Sequence, residues 1–235
     1  MTDSGKLVSA AVEDYVKAIF KLQQEDEKVS TTVLARKLGT SPAAVTKMMK
    51  QLSENHLLDY TPYHGVRLTP SGEKIALEII RHHRLIELYL HQALGYSWDQ
   101  VDAEAEKLEH HISEEFEDRI DRILDFPTRD PHGDPIPTRD GWMEAHRGTS
   151  LANAVPGQRV MVMRVKDSNS EALRLLTKLG LALNIEMEII DAQPMNGPLT
   201  LKVGDSIQTI GRELAGHVFV EPYVNADEEE YVVCS

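Results

Sequence analysis

The sequence has little cysteine, no long apolar run and no net positive charge, and each absence excludes a class of protein. Cys234 is the single cysteine among 235 residues, so the chain can form no intrachain disulfide and offers no thiolate metal site in its body. No stretch approaches the ~18 consecutive apolar residues of a membrane span, and "MTDSGKLVSA" lacks the apolar core of a signal peptide. We therefore predict a cytoplasmic protein with no membrane partner.

The net charge of −13 argues at first against a nucleic-acid partner, but the charge is unevenly distributed. Residues 31–70 carry five basic and two acidic side chains, and the acidic excess lies after residue 70. A weakly positive segment can contact phosphate groups locally, although an acidic chain steers DNA poorly over long distances. Residues 31–70 are thus the part of the chain where we look for contacts with nucleic acid.

Two short helices and a hairpin are predicted in this segment. Ser30 or Thr31 can cap a helix that ends at Gly39, and Ser41 with Pro42 begins a second helix. The stretch "LLDYTPYHGVRLT" predicts two strands around a loop, and helix, helix and hairpin form a winged helix-turn-helix. The alternative for the lysines of the second helix is an ordinary solvated face. The expected DNA-binding residues are Arg36, Lys37, Ser41, Pro42, Ala43, Thr46, Lys47, Lys50, Tyr63 and His64.

Three further helices follow from apolar periodicity. The first, in "VSAAVEDYVKAIFKLQ", places Asp14 at the edge of an apolar stripe made of Ala11, Tyr15, Ala18, Ile19 and Leu22. A long helix is predicted from Pro70 to Gly95, and "SWDQVDAEAEKLEHHISEEFEDRIDRIL" predicts one more. These last two are richer in Leu, Ile and Tyr than one winged helix can cover, so we expect a helical dimer interface.

The stretch "EKLEHHISEE" concentrates charge on one side of its helix. Glu106, Glu109 and His110, with Asp102 one turn earlier, fall on one face at 100° per residue. Three carboxylates and an imidazole repel or compete there unless a cation joins them. The alternative is a solvated acidic face beside a buried stripe of Leu108, Ile112 and Phe116.

The C-terminal part changes character from helical to strand-like. Residues 127–148 are dense in Pro and Gly and predict a loop, in which Asp130 and His132 are two residues apart. Five strand-like runs and the helix "SNSEALRLLTKLG" then predict a small barrel of about 70 residues. The acidic tail "NADEEEYVVCS" is predicted to be disordered. The fold class is mainly α with a small β-barrel, and the predicted domains are 1–70, 71–148 and 149–226, with a tail over 227–235.

The order and spacing of these motifs resemble the diphtheria toxin repressor family of metal-dependent bacterial transcription regulators. The resemblance covers nearly the whole chain, from "EDYVKAI" through "SPAAVTKMM", "RLTPSGEKIA", "HHRLIELYL", "DAEAEKLEHHIS" and "DPHGDPIP" to the barrel. It implies an N-terminal winged helix, a helical metal-binding and dimerisation domain, and a C-terminal SH3-like barrel of the FeoA type. It also implies a primary metal site at Asp14, Glu106, Glu109 and His110. Candidates for a second site are His83, Glu87, Asp102, Asp130, His132, Asp167 and Glu171.

Two departures from the family pattern concern the metal. Iron-sensing members usually have Met where this chain has Asp14, and Cys where it has Glu106. Oxygen ligands in place of sulfur suit Mn²⁺. Two-domain manganese sensors carry Glu at the position of Lys17, and a cation there opposes a closely spaced metal pair. We therefore expect two separated metal sites.

The resemblance implies a Mn(II)-activated repressor of metal-uptake genes, which binds a palindromic double-stranded operator as a homodimer. Fe(II) is the alternative activator, and Zn(II), Co(II), Ni(II) or Cd(II) can substitute in vitro. Activation of export genes and a winged-helix regulator that senses another signal also stay open. A metalloenzyme is the remote alternative, because "EKLEH" lacks the first His of H-x-x-E-H and no H-E-x-x-H or P-loop occurs. We expect no enzymatic activity.

Overall fold

The structure, a computed structural model, describes residues 8–25, 29–61, 65–167 and 169–223. The predicted wing residues Tyr63 and His64 and the predicted acidic tail lie outside these residues. The chain divides into two units, and the predicted domain bounds stay predictions. One unit comprises Met1–Ile86, Ala105–Phe126 and Ile136–Glu144, and the other comprises Glu87–Glu104, Pro127–Pro135 and Ala145–Ser235.

The first unit begins with the predicted helix-turn-helix and hairpin. Ser30 Oγ accepts a hydrogen bond from Val33 N at 3.2 Å, and Ser41 Oγ accepts one from Ala44 N at 3.2 Å, so both helices start at predicted caps. Gly39, with φ of +60°, makes the turn between them. The elements are α1 (Ala10–Glu25), α2 (Thr31–Lys37), α3 (Pro42–Glu54), β1 (Leu58–Thr61) and β2 (Gly65–Leu68), and the two strands pair antiparallel.

The core of this unit joins α1 to α2 and α3, the two helices of the helix-turn-helix. Ile19 of α1, Leu34 of α2 and Met49 of α3 are fully buried in one apolar cluster. The predicted stripe of α1 is wrong at Ala11, which is exposed, whereas Val12 on the adjacent position is buried. The buried face of α1 therefore extends beyond the predicted stripe onto the side that carries Val12 and Glu13.

Helix α4 (Pro70–Leu94) begins at the predicted residue and ends one residue before the predicted end, and a glycine in its first turn allows close packing. A Cβ atom on Gly72 would lie 2.1 Å from the carbonyl oxygen of Leu57. No other residue allows so close an approach, because every other side chain begins with that carbon. Gly72 therefore lets the first turn of α4 pack directly on the backbone before β1.

The single helix predicted after α4 is wrong, because the structure has two helices there. These are α5 (Val101–Leu108) and α6 (Glu114–Ile123). Ser113 Oγ accepts a hydrogen bond from Phe116 N at 3.2 Å, and the cap starts α6 afresh. The stripe considered as an alternative to a metal site is not buried, since Leu108 is 39 % exposed and Phe116 is 44 % exposed. Because α5 ends at Leu108, Glu109 and His110 lie directly after the helix.

A buried ion-pair network joins α4 to α6 within the first unit. Arg81 Nε donates to Glu117 Oε1 at 2.6 Å, and Arg81 Nη2 donates to Asp121 Oδ2 at 2.7 Å. Burial opposes ionisation of Glu117, but hydrogen bonds from His82 and Arg81 outweigh it and lower the pKa of Glu117 to about 2. Glu117 therefore stays ionised at neutral pH, and its contacts with Arg81 fix α6 against α4.

The second unit contains a six-stranded antiparallel sheet in the order β3-β8-β4-β5-β6-β7. The five predicted strands and the predicted helix α7 (Ser170–Lys178) are confirmed. A two-residue strand, a 3-10 turn (Leu151–Asn153) and a four-residue helix α8 (Arg212–Ala215) were not predicted, because such short elements carry no periodic signal. The strands are β3 (Thr149–Ser150), β4 (Arg159–Val165), β5 (Glu186–Ala192), β6 (Leu199–Val203), β7 (Ser206–Ile210) and β8 (Val218–Pro222). Within the described ranges, every helix is too short or too polar to cross a membrane.

Candidate metal centre

Helix α1 carries three charged side chains toward the end of α5. Glu13 is 6 % exposed, Lys17 is 5 % exposed, and Asp14 beside them is half-buried. Charged groups are seldom buried unless they are paired or bind a metal. Their partners include side chains at the end of α5 and directly after it, so this end of α1 is the place to look for a site.

Asp14, Glu109 and His110 come together as a group that could hold a metal ion. Each offers one ligand atom, and these atoms all lie within 4.8 Å of one another. His110 Nε2 is 2.8 Å from Asp14 Oδ1 and 3.4 Å from Glu109 Oε1. Imidazole nitrogen and carboxylate oxygen are both ligands of divalent first-row metals. Three of the four predicted primary ligands thus meet at one point.

Glu13, which the sequence reasoning missed, orients the imidazole of this group. His110 Nδ1 lies 2.7 Å from Glu13 Oε2. An ionised carboxylate only accepts hydrogen bonds, so Nδ1 donates its proton to Glu13 and Nε2 is directed toward Asp14 and Glu109. A lone pair facing two carboxylates is repelled unless a second proton or a cation lies there. The donor set therefore fits a divalent cation, with Glu13 behind its histidine ligand.

The two carboxylates of the group have opposite pKa shifts. Burial raises the pKa of Asp14, and the nearby charges of Glu106 and Glu109 add to the rise, although His110 opposes it. Burial also disfavours ionised Glu109, but the hydrogen bond from His83 and the charge of Lys17 outweigh it and lower its pKa. A divalent cation favours ionised ligands, so it would oppose the rise in the pKa of Asp14.

Glu106, the fourth predicted ligand, lies with Lys17 and His83 instead of with His110. Lys17 Nζ donates to Glu106 Oε2 at 2.7 Å and to the two carboxylate oxygens of Glu109 at 2.8 and 2.7 Å. It also lies 3.2 Å from His83 Nδ1. His83, Glu106 and Glu109 form a second group whose ligand atoms are within 4.8 Å of one another. The role of Glu106 as a primary ligand stays a prediction.

The second unit contains a buried group of its own, formed by Glu87, Asp130 and His132. Asp130 Oδ1 accepts hydrogen bonds from the backbone N of His132 at 2.8 Å and of Asp134 at 2.9 Å, and these bonds fix the loop. His132 Nε2 donates to the carbonyl oxygen of Trp98 at 2.8 Å. The other ring nitrogen, Nδ1, faces Glu87 Oε1 at 3.8 Å. The arrangement presents carboxylates and one imidazole nitrogen to a common space.

The remaining second-site candidates differ in position. Burial disfavours the charged form of His132, but Glu87, Asp130 and also Asp167 raise its pKa, so Asp167 acts on this group electrostatically. Asp102 offers a ligand atom within 4.8 Å of one on Glu87. Glu171 is exposed in the first turn of α7 and belongs to none of the groups found among the described residues. The second-site assignment stays a prediction.

Three family models match the chain in the same order as its structural parts. Residues 7–66 match "Iron dependent repressor, N-terminal DNA binding domain". Residues 69–138 match "Iron dependent repressor, metal binding and dimerisation domain", and residues 149–222 match "FeoA domain". Most of the chain is covered by the three matches.

Individual relatives agree with these matches. The regulator MntR of Bacillus pumilus is 32 % identical over 120 residues, which are 51 % of this chain and 83 % of MntR. The chain belongs to the diphtheria toxin repressor family. The repressor IdeR of Mycobacterium leprae is 28 % identical over 224 residues, which are 89 % of this chain and 96 % of IdeR. A solved "Manganese-dependent transcriptional repressor complex with manganese" is 34 % identical with a TM-score of 0.85, covering 90 % of this chain and all of the other.

Membership of this family of metal-dependent DNA-binding repressors confirms the predicted family, fold class and general function.

Most residues on the α3 face that is expected to contact DNA are exposed. Thr46 is half-buried, and its hydroxyl donates to the carbonyl oxygen of Pro42 at 2.8 Å, so it is partly used inside the helix. Ser41 serves as the cap of α3. The exposed members of the predicted set are Arg36, Lys37, Ser41, Pro42, Ala43, Lys47 and Lys50.

Proposed function

We propose that the chain is a Mn(II)-activated, homodimeric and cytoplasmic repressor of metal-uptake genes that catalyses no reaction. The observation that carries the metal assignment is the group of Asp14, Glu109 and His110, whose donors are oxygen and nitrogen without sulfur. Hard carboxylate ligands suit Mn²⁺, which lies at the weak end of the affinity order and is selected by ligand type and geometry. The manganese-bound solved relative and MntR support this choice.

The proposed mechanism depends on the two segments that supply the ligands. Asp14 belongs to α1, which shares one core with α2 and α3, whereas Glu109 and His110 follow α5. One cation held by ligands from both segments therefore joins α3, the helix proposed to contact DNA, to the segment after α5. Without the cation, Asp14 faces the like charges of Glu106 and Glu109. Metal thus favours the DNA-binding arrangement only by its higher affinity for that arrangement.

DNA contact is assigned to the exposed side of α3. Lys47 and Lys50 supply positive charge, and the methyl group of Ala43 suits contact with a thymine methyl in the major groove. In a homodimer two such helices read a palindromic operator, with half-sites roughly 34 Å apart or a multiple of that distance. The weakly positive charge of residues 31–70 supports this placement.

Metal-dependent DNA binding is the direct test. An operator is first selected from a random DNA pool with the parent protein and Mn²⁺, and binding is then followed by fluorescence anisotropy. We expect Mn²⁺ to switch binding on in the parent, and Glu109→Gln to abolish that switch. Loss of the ion pair with Lys17 should lower the thermal stability of the variant, so circular dichroism and size-exclusion chromatography check that it is folded and dimeric at the assay temperature. Glu115→Gln, at an exposed carboxylate on α6 whose side chain is 76 % exposed, is the matched control. An unchanged Mn²⁺ response in Glu109→Gln would contradict the proposed centre.

Fe(II) is the second candidate activator, and similarity to IdeR over nearly its whole length favours it. The same anisotropy titration, run anaerobically with Fe²⁺ and in parallel with Zn²⁺, separates the two proposals. A lower half-saturating concentration for Fe²⁺ than for Mn²⁺ would favour the iron-responsive regulator.

A further inference from the structure

The second unit contains a pocket with a volume of about 840 Å³. All of its lining residues belong to that unit, and it shares no residue with the primary metal group or with the residues expected to contact DNA. Sites for small organic molecules are typically clefts of roughly 300–1,000 Å³. The size of this pocket therefore suits an organic ligand rather than a single ion.

Four segments of the chain supply apolar side chains to the wall of the pocket. Helix α4 contributes Leu88, the turn after α4 contributes Trp98, the proline-rich loop after α6 contributes Pro131, and the turn after α7 contributes Leu181 and Leu183. Leu88 is buried, and Leu181 belongs to the buried core of the barrel, so the fold itself fixes these parts of the wall.

The polar groups beside these side chains are already partnered. Trp98 Nε1 donates to Thr177 Oγ1 at 2.8 Å, and the Thr177 hydroxyl donates to the carbonyl oxygen of Leu173 at 3.0 Å. Asp99 Oδ2 pairs with Arg174 Nη1 at 3.3 Å, so these two charges compensate each other. An occupant of the pocket therefore meets the carbon surface of the indole without leaving a buried donor or acceptor unpaired.

Lys178 differs from the other charged residues of the wall. Arg129 Nη1 donates to the carbonyl oxygen of Gly133 at 2.9 Å, and Asp130 Oδ1 accepts two backbone hydrogen bonds. Among the described residues, Lys178 is the one charged lining side chain that has no hydrogen bond or ion pair. The pocket thus combines an apolar wall with one available ammonium group at the end of α7.

We propose that this pocket binds a small organic anion that has an apolar body and a single carboxylate, and that the carboxylate pairs with Lys178. Burial of the body against the apolar wall supplies affinity in proportion to the apolar area removed from water. The ammonium favours the carboxylate over a neutral analogue. A second carboxylate on the ligand would lie unpaired against apolar side chains, which opposes its binding. The site does not depend on the proposed metal response, so each proposal can fail without the other.

Tryptophan fluorescence measures binding at this site, because Trp98 and Trp142 are the two tryptophans of the chain. Trp142 is 64 % exposed and does not line the pocket, so Trp142→Phe serves as the background of every protein tested. The probes are decanoate and naphthalene-2-carboxylate, with decanol as the neutral counterpart of decanoate, each below the concentration at which it forms micelles. We expect both carboxylates to change the emission of Trp98 saturably and calorimetry to give one site per chain.

Three substitutions test the wall and the ammonium separately. Lys178→Met keeps the side-chain length and should weaken decanoate binding about fivefold, the upper end for an exposed ion pair, without weakening decanol binding. Lys202→Met removes an exposed lysine of β6 that does not line the pocket, and it should leave both affinities unchanged. Ala182→Phe fills the pocket from an exposed lining position and should abolish binding of all probes. Circular dichroism checks that each variant is folded.

Four results would overturn the inference. One is that neither carboxylate binds saturably, and another is that decanol binds as tightly as decanoate. The third is an equal loss of decanoate affinity in Lys178→Met and Lys202→Met, which would mean that the carboxylate responds to overall charge. The fourth is unchanged binding in folded Ala182→Phe, which would place the ligand elsewhere on the chain.

Discussion

The contact between Glu13 and His110 gives a sharp test of the metal centre, because Glu13 is outside the group of candidate ligands and contacts its histidine from behind. Its carboxylate lies 2.7 Å from Nδ1, and both side chains are almost entirely buried. Glu13→Leu replaces the carboxylate by an apolar side chain of similar size and so removes the hydrogen-bond acceptor. The ring then loses the partner that holds the proton on Nδ1, and the lone pair of Nε2 is no longer fixed toward Asp14.

The size of the effect follows from the chemistry of such partners. Loss of a hydrogen-bond acceptor behind a metal-binding histidine typically weakens metal affinity about 10- to 100-fold. This corresponds to about 1.4–2.7 kcal/mol of binding free energy. We expect Glu13→Leu to fall in this range, because the contact is short and shielded from water. Glu13→Gln retains a neutral acceptor oxygen and should lose less than about tenfold.

Isothermal titration with Mn²⁺ measures the dissociation constant of the parent and both variants, and thermal unfolding without metal confirms that each variant is folded. Glu115→Gln serves again as the control, since its exposed carboxylate pairs only along α6 with Arg119 in the described contacts. If folded Glu13→Leu binds Mn²⁺ within about twofold of the parent, His110 does not bind the ion through Nε2 as the contact implies.

Two further predictions concern DNA reading and metal choice. Lys47→Ala should weaken specific operator binding by ~1–3 kcal/mol if Lys47 reads a base, and should instead lower the salt dependence of binding if Lys47 contacts phosphate. Anisotropy measured at several salt concentrations distinguishes these two outcomes. Unchanged operator binding would show that Lys47 is not part of the interface. The double substitution Asp14→Met with Glu106→Cys should raise the half-saturating Mn²⁺ and favour Fe²⁺, because thioether and thiolate ligands are softer than carboxylate. An unchanged ratio of half-saturating Mn²⁺ to Fe²⁺, measured anaerobically, would show that selectivity is set elsewhere.

Local sequence signals made most of the helix-turn-helix predictable. Caps at Ser30 and Ser41 and a positive-φ turn at Gly39 are properties of a few neighbouring residues, so their structural outcome follows directly. The break between α5 and α6 could not be predicted from the sequence. The helical periodicity continues through Ser113, which therefore looks like any other polar residue of one helix. Only the structure shows that its hydroxyl caps a new helix.

Three members of the candidate site were predictable from the sequence, but the contacts that support them were not. Asp14, Glu109 and His110 were named from their positions in a family pattern, and the structure brings them together. Glu13 had no signal beyond its place next to Asp14, because its inward direction depends on how α1 packs against the segment after α5. Lys17 was expected to oppose a metal pair, but its direct contacts with Glu106 and Glu109 required coordinates.

Lys17 and Asp14, two of the three charged residues of α1 at this site, have different consequences for regulation. Lys17 contacts Glu109 in the structure without an added ion, so this ion pair joins α1 to that segment without any contribution from metal. Asp14 faces a ring nitrogen and like charges, so its attraction to the same segment depends on an added proton or cation. A metal-dependent switch needs a contribution that changes with metal, and in the proposed mechanism only the Asp14 side supplies one. Substitutions of Asp14 should therefore remove the response to metal, whereas charge-conserving substitution of Lys17 should leave that response in place.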